Sequence, residues 1–288
     1  MFEVHRDVGP FGSCALIDTA SHSRVKIAPE RGGIVTEFAL AGRPILYLDE
    51  ASLLDTGRSV RGGIPILFPI CGNLPDDTYR IGGTPYRLKQ HGLARLLPWR
   101  VVAASTTDAA ALTLALTSDD QTFAAYPFDF EVRFTYTLAG GRLTIAQEYH
   151  NRSATAMPMA AGFHPYFVCS DKRALTFEIP ATHYRDQVSG EAREFHGFPF
   201  EEPVVDWIFT DVHGQKASVT NPADGYRLQL EYDPVFRCLV FWTLSDKDFY
   251  CLEPWMAPRN ALNTGQDLVQ VEPGTSLGCR FVLDAALL

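Results

Sequence analysis

Two titratable side chains occupy apolar segments of the sequence. Glu253 follows the apolar residues 249–252 and precedes a proline and a tryptophan. A buried carboxylate in such surroundings costs free energy unless it has a partner or a function. His164 lies within residues 162–167 (GFHPYF), where desolvation lowers the pKa of an imidazole and a nearby carboxylate raises it. These residue types can act as base and acid in proton transfer. A strand-end glutamate and a core histidine bonded to a carbonyl are the structural alternatives.

A segment rich in glycine and proline occupies residues 61–69 (RGGIPILFP), and CGN follows at residues 71–73. Two glycines and two prolines in so short an apolar run are incompatible with a regular central strand. Because glycine allows close approach of the backbone, we predict a loop that packs tightly against another part of the chain. Arg61 at its start is either a ligand-binding cation or a solvated residue at the end of the loop.

His91 lies in a second loop, residues 90–95 (QHGLAR), directly before a glycine. Lys89 and Arg95 flank it, and this arrangement suits a polar ligand at the mouth of a loop. A structural role for His91 stays equally open, since single histidines are usually satisfied within a fold. The remaining histidines, at positions 5, 22, 150, 183, 196 and 213, have polar neighbours and are predicted to be structural or exposed.

Cofactor-binding patterns are missing from the sequence. It contains neither GxGxxG nor GxxxxGK[ST], which argues against the usual nucleotide-binding loops. The six cysteines are Cys14, Cys71, Cys169, Cys238, Cys251 and Cys279, and no two of them form a CxxC pair. We therefore predict buried, reduced thiols. Because closely spaced zinc ligands are absent, we expect neither a metal nor another cofactor.

The strand patterns that must position these residues predict an all-β protein. Alternating or β-branched segments cover residues 24–28, 111–117, 130–138, 142–149, 226–232 and 278–283, and apolar runs at 99–104, 174–179 and 238–243 are predicted to be strands buried on both faces. Gly140 and Gly141 predict a hairpin turn, and residues 221–225 (NPADG) predict a second turn. No window of twelve or more residues has helical periodicity.

Composition and charge restrict the class of protein. No linker or charge block divides residues 1–288, so we predict a single domain. With 46% hydrophobic and 20% charged residues the chain is typical of a globular protein. Its net charge of −9 creates no field that attracts phosphate backbones or anionic lipids, so neither nucleic acid nor a membrane is an expected partner. Without a signal-peptide or membrane-span pattern, a cytoplasmic location is expected.

Four segments, RGGIPILFP, HGLAR, GFHPYF and CLEPW, occur in this order between residues 60 and 256. Together they resemble motif blocks of the aldose 1-epimerase (galactose mutarotase-like) superfamily. Each motif is weak alone, whereas four in the right order form a specific pattern. The resemblance implies a large antiparallel β-supersandwich, and it implies an isomerase that interconverts the α and β anomers of an aldose.

The resemblance also implies roles for individual residues. Glu253 resembles the general base that removes the proton from the anomeric hydroxyl, and His164 resembles the general acid that protonates the ring oxygen. His91 resembles a second active-site histidine that binds the sugar near the reacting centre. Asp206, in the segment VDW, lies where family members have a substrate-binding aspartate.

The preferred sugar stays open at this stage. Arg61 and Arg95 resemble basic residues that bind phosphate in branches acting on hexose 6-phosphates, and Lys89 is a third cation on the same two loops. Those branches usually have asparagine after the second arginine, whereas this chain has Leu96. The segment at residues 61–73 also resembles a branch whose members are mostly uncharacterised. A small-molecule sugar and a sugar phosphate are therefore both expected substrates.

The leading hypothesis is an aldose 1-epimerase that acts without a cofactor, as a monomer or a homodimer. A glucose-6-phosphate 1-epimerase and a non-catalytic carbohydrate-binding protein are the alternatives. A glycoside hydrolase or lyase is less favoured, because a hydrolase needs two carboxylates at the reacting bond and only Glu253 stands out. The aromatic residues Phe68, Trp207, Trp242 and Trp255 are candidates for stacking on a sugar and, equally, for the core.

Overall fold

The computed structural model describes residues 1–288, and strands dominate it. In chain order the first strands are β1 (Phe2–His5), β2 (Cys14–Asp18), β3 (Ser23–Ala28), β4 (Ile34–Leu40), β5 (Arg43–Pro44), β6 (Ile66–Leu67), β7 (Thr78–Ile81), β8 (Thr84–Arg87), β9 (Arg100–Ser105), β10 (Ala110–Thr117), β11 (Phe130–Ala139) and β12 (Arg142–Asn151). They are followed by β13 (Met157–Met159), β14 (Gly162–Phe163), β15 (Tyr166–Val168), β16 (Thr176–Glu178), β17 (His183–Asp186), β18 (Ala192–Glu194), β19 (Val204–Phe209), β20 (Lys216–Asn221), β21 (Tyr226–Tyr232), β22 (Cys238–Leu244), β23 (Phe249–Trp255), β24 (Val269–Val271) and β25 (Ser276–Leu287).

Helices are few and short. The α-helices are α1 (Glu50–Leu54), α2 (Asp120–Ala125) and α3 (Ala261–Thr264), and single 3₁₀ turns occur at Pro29–Arg31, Pro75–Asp77, Ala94–Leu96 and Lys172–Ala174. No helix has the length and apolar character needed to cross a membrane. Helix α2 begins with a local cap, in which the Asp119 side chain accepts a hydrogen bond from the backbone N–H of Thr122.

Two eight-stranded antiparallel sheets form the body of the molecule. Sheet I has the order β16-β20-β21-β25-β12-β11-β10-β9. Sheet II has the order β18-β17-β19-β22-β23-β14-β6, with β15 also paired to β23. A five-stranded sheet runs from β1 to β5, and the pairs β13-β24 and β7-β8 complete the structure.

Aromatic side chains join the two large sheets. Phe163 of β14 stacks on Phe281 of β25 with ring centroids 5.0 Å apart, and it lies 5.8 Å from the ring of Phe134 on β11. These residues belong to one continuous cluster of 62 buried hydrophobic side chains with members on both sheets. The prediction of an all-β fold built as a large antiparallel sandwich is therefore confirmed.

Most local predictions are confirmed. Each of the six alternating segments lies in a strand, Gly140 and Gly225 adopt positive φ angles of 61° and 67° in hairpin turns, and all six cysteines are buried and free of disulfides. Two predictions were wrong in one respect. The apolar runs at 99–104 and 174–179 overlap β9 and β16, which are the two edges of sheet I and are mostly exposed. The composition of a segment predicts a strand. Its position in the sheet, which depends on distant parts of the chain, decides how far that strand is buried.

The predicted tight loop at residues 61–69 is confirmed. It contains only the two-residue strand β6, and the backbone N–H of Ile64 donates to the carbonyl oxygen of Val35 at 2.9 Å. Gly63 has a φ of +64°, and a Cβ atom at this position would lie 2.2 Å from that same oxygen. Glycine is required here both for its backbone conformation and for the close approach. The loop is thereby fixed between β4 and the cleft described below.

Gly63→Ala should destabilise the protein by about 3 kcal/mol or more, because left-handed strain and a steric overlap with backbone act together. The matched control is Gly82→Ala, since Gly82 has a φ of +55° and a Cβ added there would have no atom within 4 Å. The control should lose only the conformational part, about 1 kcal/mol. Urea unfolding of both variants measures the difference. Equal losses would contradict the close-approach explanation.

Candidate active site

A polar cleft of about 250 Å³ opens on sheet II. Six of the seven residues that the sequence analysis singled out line it: Arg61, His91, Arg95, His164, Asp206 and Glu253. They come from distant parts of the chain, and the fold brings them together. The cleft is lined by more polar than apolar side chains, which suits a ligand that offers many hydroxyl groups.

Lys89 does not line the cleft, so its prediction as a phosphate ligand needs correction. Its Nζ atom lies 2.7 Å from Oδ2 of Asp77, and 79% of its side chain is exposed. His91, two residues later, has a φ of +65°, which turns the chain between the two side chains. Lys89 therefore lies outside the cleft although it is only two residues from His91 in the sequence.

The strand register aligns Glu253 with His164. In β23, alternation puts Cys251, Glu253 and Trp255 on one face. The antiparallel pairs Gly162↔Trp255 and Tyr166↔Cys251 lie on either side of the bend that contains His164. The same register puts His164 opposite Glu253, and Nδ1 of the imidazole lies 3.4 Å from Oε1 of the carboxylate.

Burial sets the protonation preferences of this pair. His164 is 9% exposed and Glu253 is 1% exposed. Burial, assisted by Arg95 and Arg61, lowers the pKa of His164 to about 3. Burial also raises the pKa of Glu253 well above its ordinary value, with a further rise from Asp206, and the hydrogen bond donated by Trp255 opposes this. Both shifts favour the uncharged form, so burial in the cleft favours an uncharged pair.

His91 is held by the backbone in a single tautomer. The backbone N–H of Gly72 donates to its Nδ1 at 3.1 Å, while the backbone N–H of His91 donates to the carbonyl of Gly72 at 2.7 Å. Burial, together with His164 and Arg95, lowers the pKa of His91 well below its ordinary value. A neutral ring that accepts at Nδ1 carries its proton on Nε2. His91 can therefore donate one hydrogen bond to a ligand.

Two residues of the site, Gln187 and Arg259, were missed by the sequence analysis. Gln187 Nε2 donates to Asp206 Oδ1 at 2.6 Å, and Nε of Arg259 donates to Gln187 Oε1 at 2.7 Å. Arg259 Nη2 also lies 3.4 Å from Asp206 Oδ2. Gly72 makes this arrangement possible, since a Cβ there would lie 2.5 Å from Cβ of Arg259. The only sequence signal for Arg259 was its closeness to the CLEPW segment, and Gln187 gave none.

Arg61 and Arg95 differ from Arg259 because neither forms an ion pair with a carboxylate. The guanidinium of Arg61 lies over the ring of Trp242, 5.5 Å from its centroid. Arg95 Nη2 donates to the carbonyl of Gln90 at 2.8 Å, and its Nε is buried without a hydrogen-bond partner. Arg61 and Arg95 can therefore bind an anionic group without first breaking an ion pair.

The four aromatic candidates divide evenly. Trp242 and Trp255 line the cleft, and Trp242 packs edge-on against the imidazole of His164 at 5.7 Å. Phe68 is fully buried in the core, and Trp207 stacks on Tyr184 at 3.6 Å. Of these four residues, only Trp242 and Trp255 can contact a ligand in the cleft.

A GxSxG segment, residues 274–278 (GTSLG), also occurs in the chain and lies away from the cleft. The Ser276 hydroxyl is 2.9 Å from Nδ1 of His150, and both side chains are at the surface of sheet I. A nucleophile elbow requires a turn from a strand into a helix. Here the segment leads from a turn into β25, so its context does not match a hydrolase elbow.

Comparisons with known proteins identify the family of this chain. The aldose 1-epimerase family model matches residues 14–284. A Synechocystis protein of known crystal structure is 41% identical, with a TM-score of 0.95 over 100% of both chains. A galactose mutarotase-like protein from Clostridium acetobutylicum shares the fold, with 19% identity and a TM-score of 0.84 over 100% of this chain and 99% of its own. A Salmonella typhimurium protein, provisionally named glucose-6-phosphate 1-epimerase, is 31% identical over 44% of this chain and 39% of its own length. The chain therefore belongs to the aldose 1-epimerase family.

Proposed function

We propose that this protein interconverts the α and β anomers of a hexose by acid–base ring opening and reclosure. The observation that carries the proposal is the pair formed by Glu253 and His164, whose nearest atoms are 3.4 Å apart in a polar cleft. Two buried titratable groups in contact are costly to the fold, which favours a functional reason for both.

The reaction needs two coordinated proton transfers. Glu253 removes the proton from the anomeric hydroxyl while His164 delivers a proton to the ring oxygen. The bond between C1 and the ring oxygen breaks, and the electron pair of O1 forms the aldehyde. After rotation about the C1–C2 bond, His164 takes the proton back and Glu253 returns its proton to the carbonyl oxygen. Simultaneous transfer avoids a free alkoxide, and each group ends in its starting state.

This cycle requires that the pair hold one proton. With the proton on His164 the two groups attract each other, and with the proton on Glu253 both are uncharged. The buried setting favours the second arrangement, and transfer between Nδ1 and Oε1 connects the two arrangements. The single proton therefore belongs to the pair and not to either residue.

The other polar residues of the cleft support sugar binding. Nε2–H of His91 is a donor for a sugar oxygen near the reacting centre. Asp206 is an acceptor for hydroxyl groups, and Gln187 and Arg259 orient its carboxylate. Trp255 donates to Oε2 of Glu253 at 3.0 Å, which leaves Oε1 to take the substrate proton. His91 acts as a hydrogen-bond donor and Asp206 as an acceptor. A molecule with many hydroxyl groups needs both kinds of partner.

A hexose 6-phosphate is the second candidate substrate, and a specific observation favours it. Arg61 and Arg95 line the cleft without carboxylate partners, in a protein of net charge −9. Guanidinium groups form paired, charge-assisted hydrogen bonds with phosphate. The Salmonella relative whose provisional name includes glucose 6-phosphate is consistent with this candidate.

Glu253→Gln and His164→Asn should each reduce the rate of anomeric exchange by about a hundredfold or more, because each removes one of the two proton-transfer groups. Saturation-transfer NMR of α/β exchange measures the rate. Glu148→Gln and His183→Asn are matched controls at exposed positions outside the cleft and should leave it unchanged. Near-wild-type exchange in either test variant would reject the assignment. Sugar binding without any acceleration by the wild type would instead support a non-catalytic carbohydrate-binding protein.

The pH dependence of kcat/KM should show a wide plateau. Activity falls in acid when a second proton binds to the pair and in alkali when the remaining proton leaves. Because burial lowers the pKa of His164 to about 3, the acid limb should lie well below pH 6.5. Rates corrected for spontaneous mutarotation, with circular dichroism to verify folding at each pH, provide the test. An acid limb near 6.5, the ordinary value for histidine, would contradict the effect of burial.

Arg61→Ala and Arg95→Ala should each lower kcat/KM for glucose 6-phosphate by roughly ten- to a hundredfold, equivalent to about 1.5–3 kcal/mol. The value for glucose should change little, since only the phosphate loses a partner. Lys89→Ala is the matched control, because Lys89 is a nearby cation outside the cleft. Equal losses on both sugars, or a wild type indifferent to the phosphate, would reject the phosphate site.

A further inference from the structure

Cys251 is a buried thiol next to the proposed acid–base pair, and proton transfer to a sugar does not require it. It is 0% exposed and lies two residues before Glu253 on the same face of β23. One ligand atom from each of His164, Cys251 and Glu253 lies within 4.8 Å of the others. The cross-strand register brings Cys251 and Glu253 of β23 close to His164, which is far from them in the sequence.

We propose that His164, Cys251 and Glu253 form an inhibitory binding site for a thiophilic divalent cation such as Zn²⁺. Imidazole nitrogen, thiolate sulfur and carboxylate oxygen are the three ligand types of zinc sites in proteins. Zinc–ligand bonds of about 2.0–2.3 Å in a tetrahedron separate the ligand atoms by about 3.3–3.6 Å. The 3.4 Å separation of His164 and Glu253 already matches this spacing, and the distances to the Cys251 sulfur, which are within 4.8 Å, need a shift of at most about 1 Å.

An unpartnered atom supports the site independently. Nδ1 of His164 is buried, has no hydrogen-bond partner and faces the carboxylate of Glu253. A buried polar atom without a partner carries a desolvation cost that a bound cation would remove. The second carboxylate oxygen accepts a hydrogen bond from Trp255 at 3.0 Å, which is the outer contact that usually orients a ligating carboxylate.

The charge balance of binding is simple. The imidazole of His164 is neutral and needs to lose no proton to coordinate through Nδ1. The thiol of Cys251 releases its proton as the sulfur–metal bond forms, because a coordinating thiol is deprotonated by the ion. Glu253 coordinates as carboxylate and releases the proton that it holds in the uncharged pair. The guanidinium groups of Arg61 and Arg95 repel the incoming cation, which weakens its binding.

Inhibition follows from the positions of the ligands, and this part rests on the proposed epimerase function. A cation bound to His164 and Glu253 occupies both groups that exchange protons with the sugar. Three protein ligands would leave one position of a tetrahedral ion for water. The thiol thereby makes the active site sensitive to zinc without taking part in turnover.

The test compares wild type, Cys251→Ala and the matched control Cys238→Ala, which removes another buried thiol on the neighbouring strand β22. Cobalt chloride is added to each protein and the thiolate-to-cobalt charge-transfer absorption is recorded in the near ultraviolet. Zinc chloride is then titrated into the anomeric-exchange assay. Calorimetric zinc titration of the same proteins provides a binding measurement that needs no turnover, so failure of the epimerase proposal stays distinguishable from failure of the metal site.

Wild type and Cys238→Ala should show the cobalt–thiolate absorption and similar inhibition by zinc. Cys251→Ala should keep its basal exchange rate, lack the absorption and need roughly tenfold more zinc or higher for the same inhibition. Cys251→Ser, which is nearly isosteric, gives the same comparison if the alanine variant fails to fold. No cobalt–thiolate absorption in the wild type, or equal zinc sensitivity with and without the Cys251 thiol, would overturn the proposal.

Discussion

The antiparallel register between β23 and its partners β14 and β15 is the constraint on which the site depends. Gly162 pairs with Trp255 and Tyr166 pairs with Cys251, so the bend between them brings His164 opposite Glu253. A shift of the register by one residue would turn Glu253 toward the other face of the sheet. The sheet therefore determines both the distance between the two groups and the side on which the cleft opens.

Burial gives this pair its chemical character. In water a carboxyl group and an imidazole prefer opposite charges near neutral pH, but desolvation here favours the uncharged form of each. Asp206 on one side and Arg61 and Arg95 on the other shift the balance in the same direction. Desolvation therefore reverses the order found in water and favours the uncharged arrangement of the pair, with the proton on Glu253.

A second unit, made from two loops, completes the cleft. Gly72 and His91 exchange two hydrogen bonds, and Phe68 bridges to Gly92, so the segments at 61–73 and 90–95 pack as one body. This unit fixes the tautomer of His91, and the missing side chain at Gly72 leaves room for Cα and Cβ of Arg259. Glycines at these positions matter because backbone atoms approach where a side chain would not fit.

The sequence by itself predicted the all-β class, most strands and five of the residues that line the cleft, because alternation and short motifs are local properties of the chain, and the family resemblance added Asp206. It did not distinguish the edge strands β9 and β16 from central ones, since sheet order is decided by distant neighbours. Tertiary structure alone excluded Lys89 from the cleft, added Gln187 and Arg259, and brought Cys251 next to His164. These outcomes depend on backbone turns and cross-strand register, which no linear pattern in one sequence encodes.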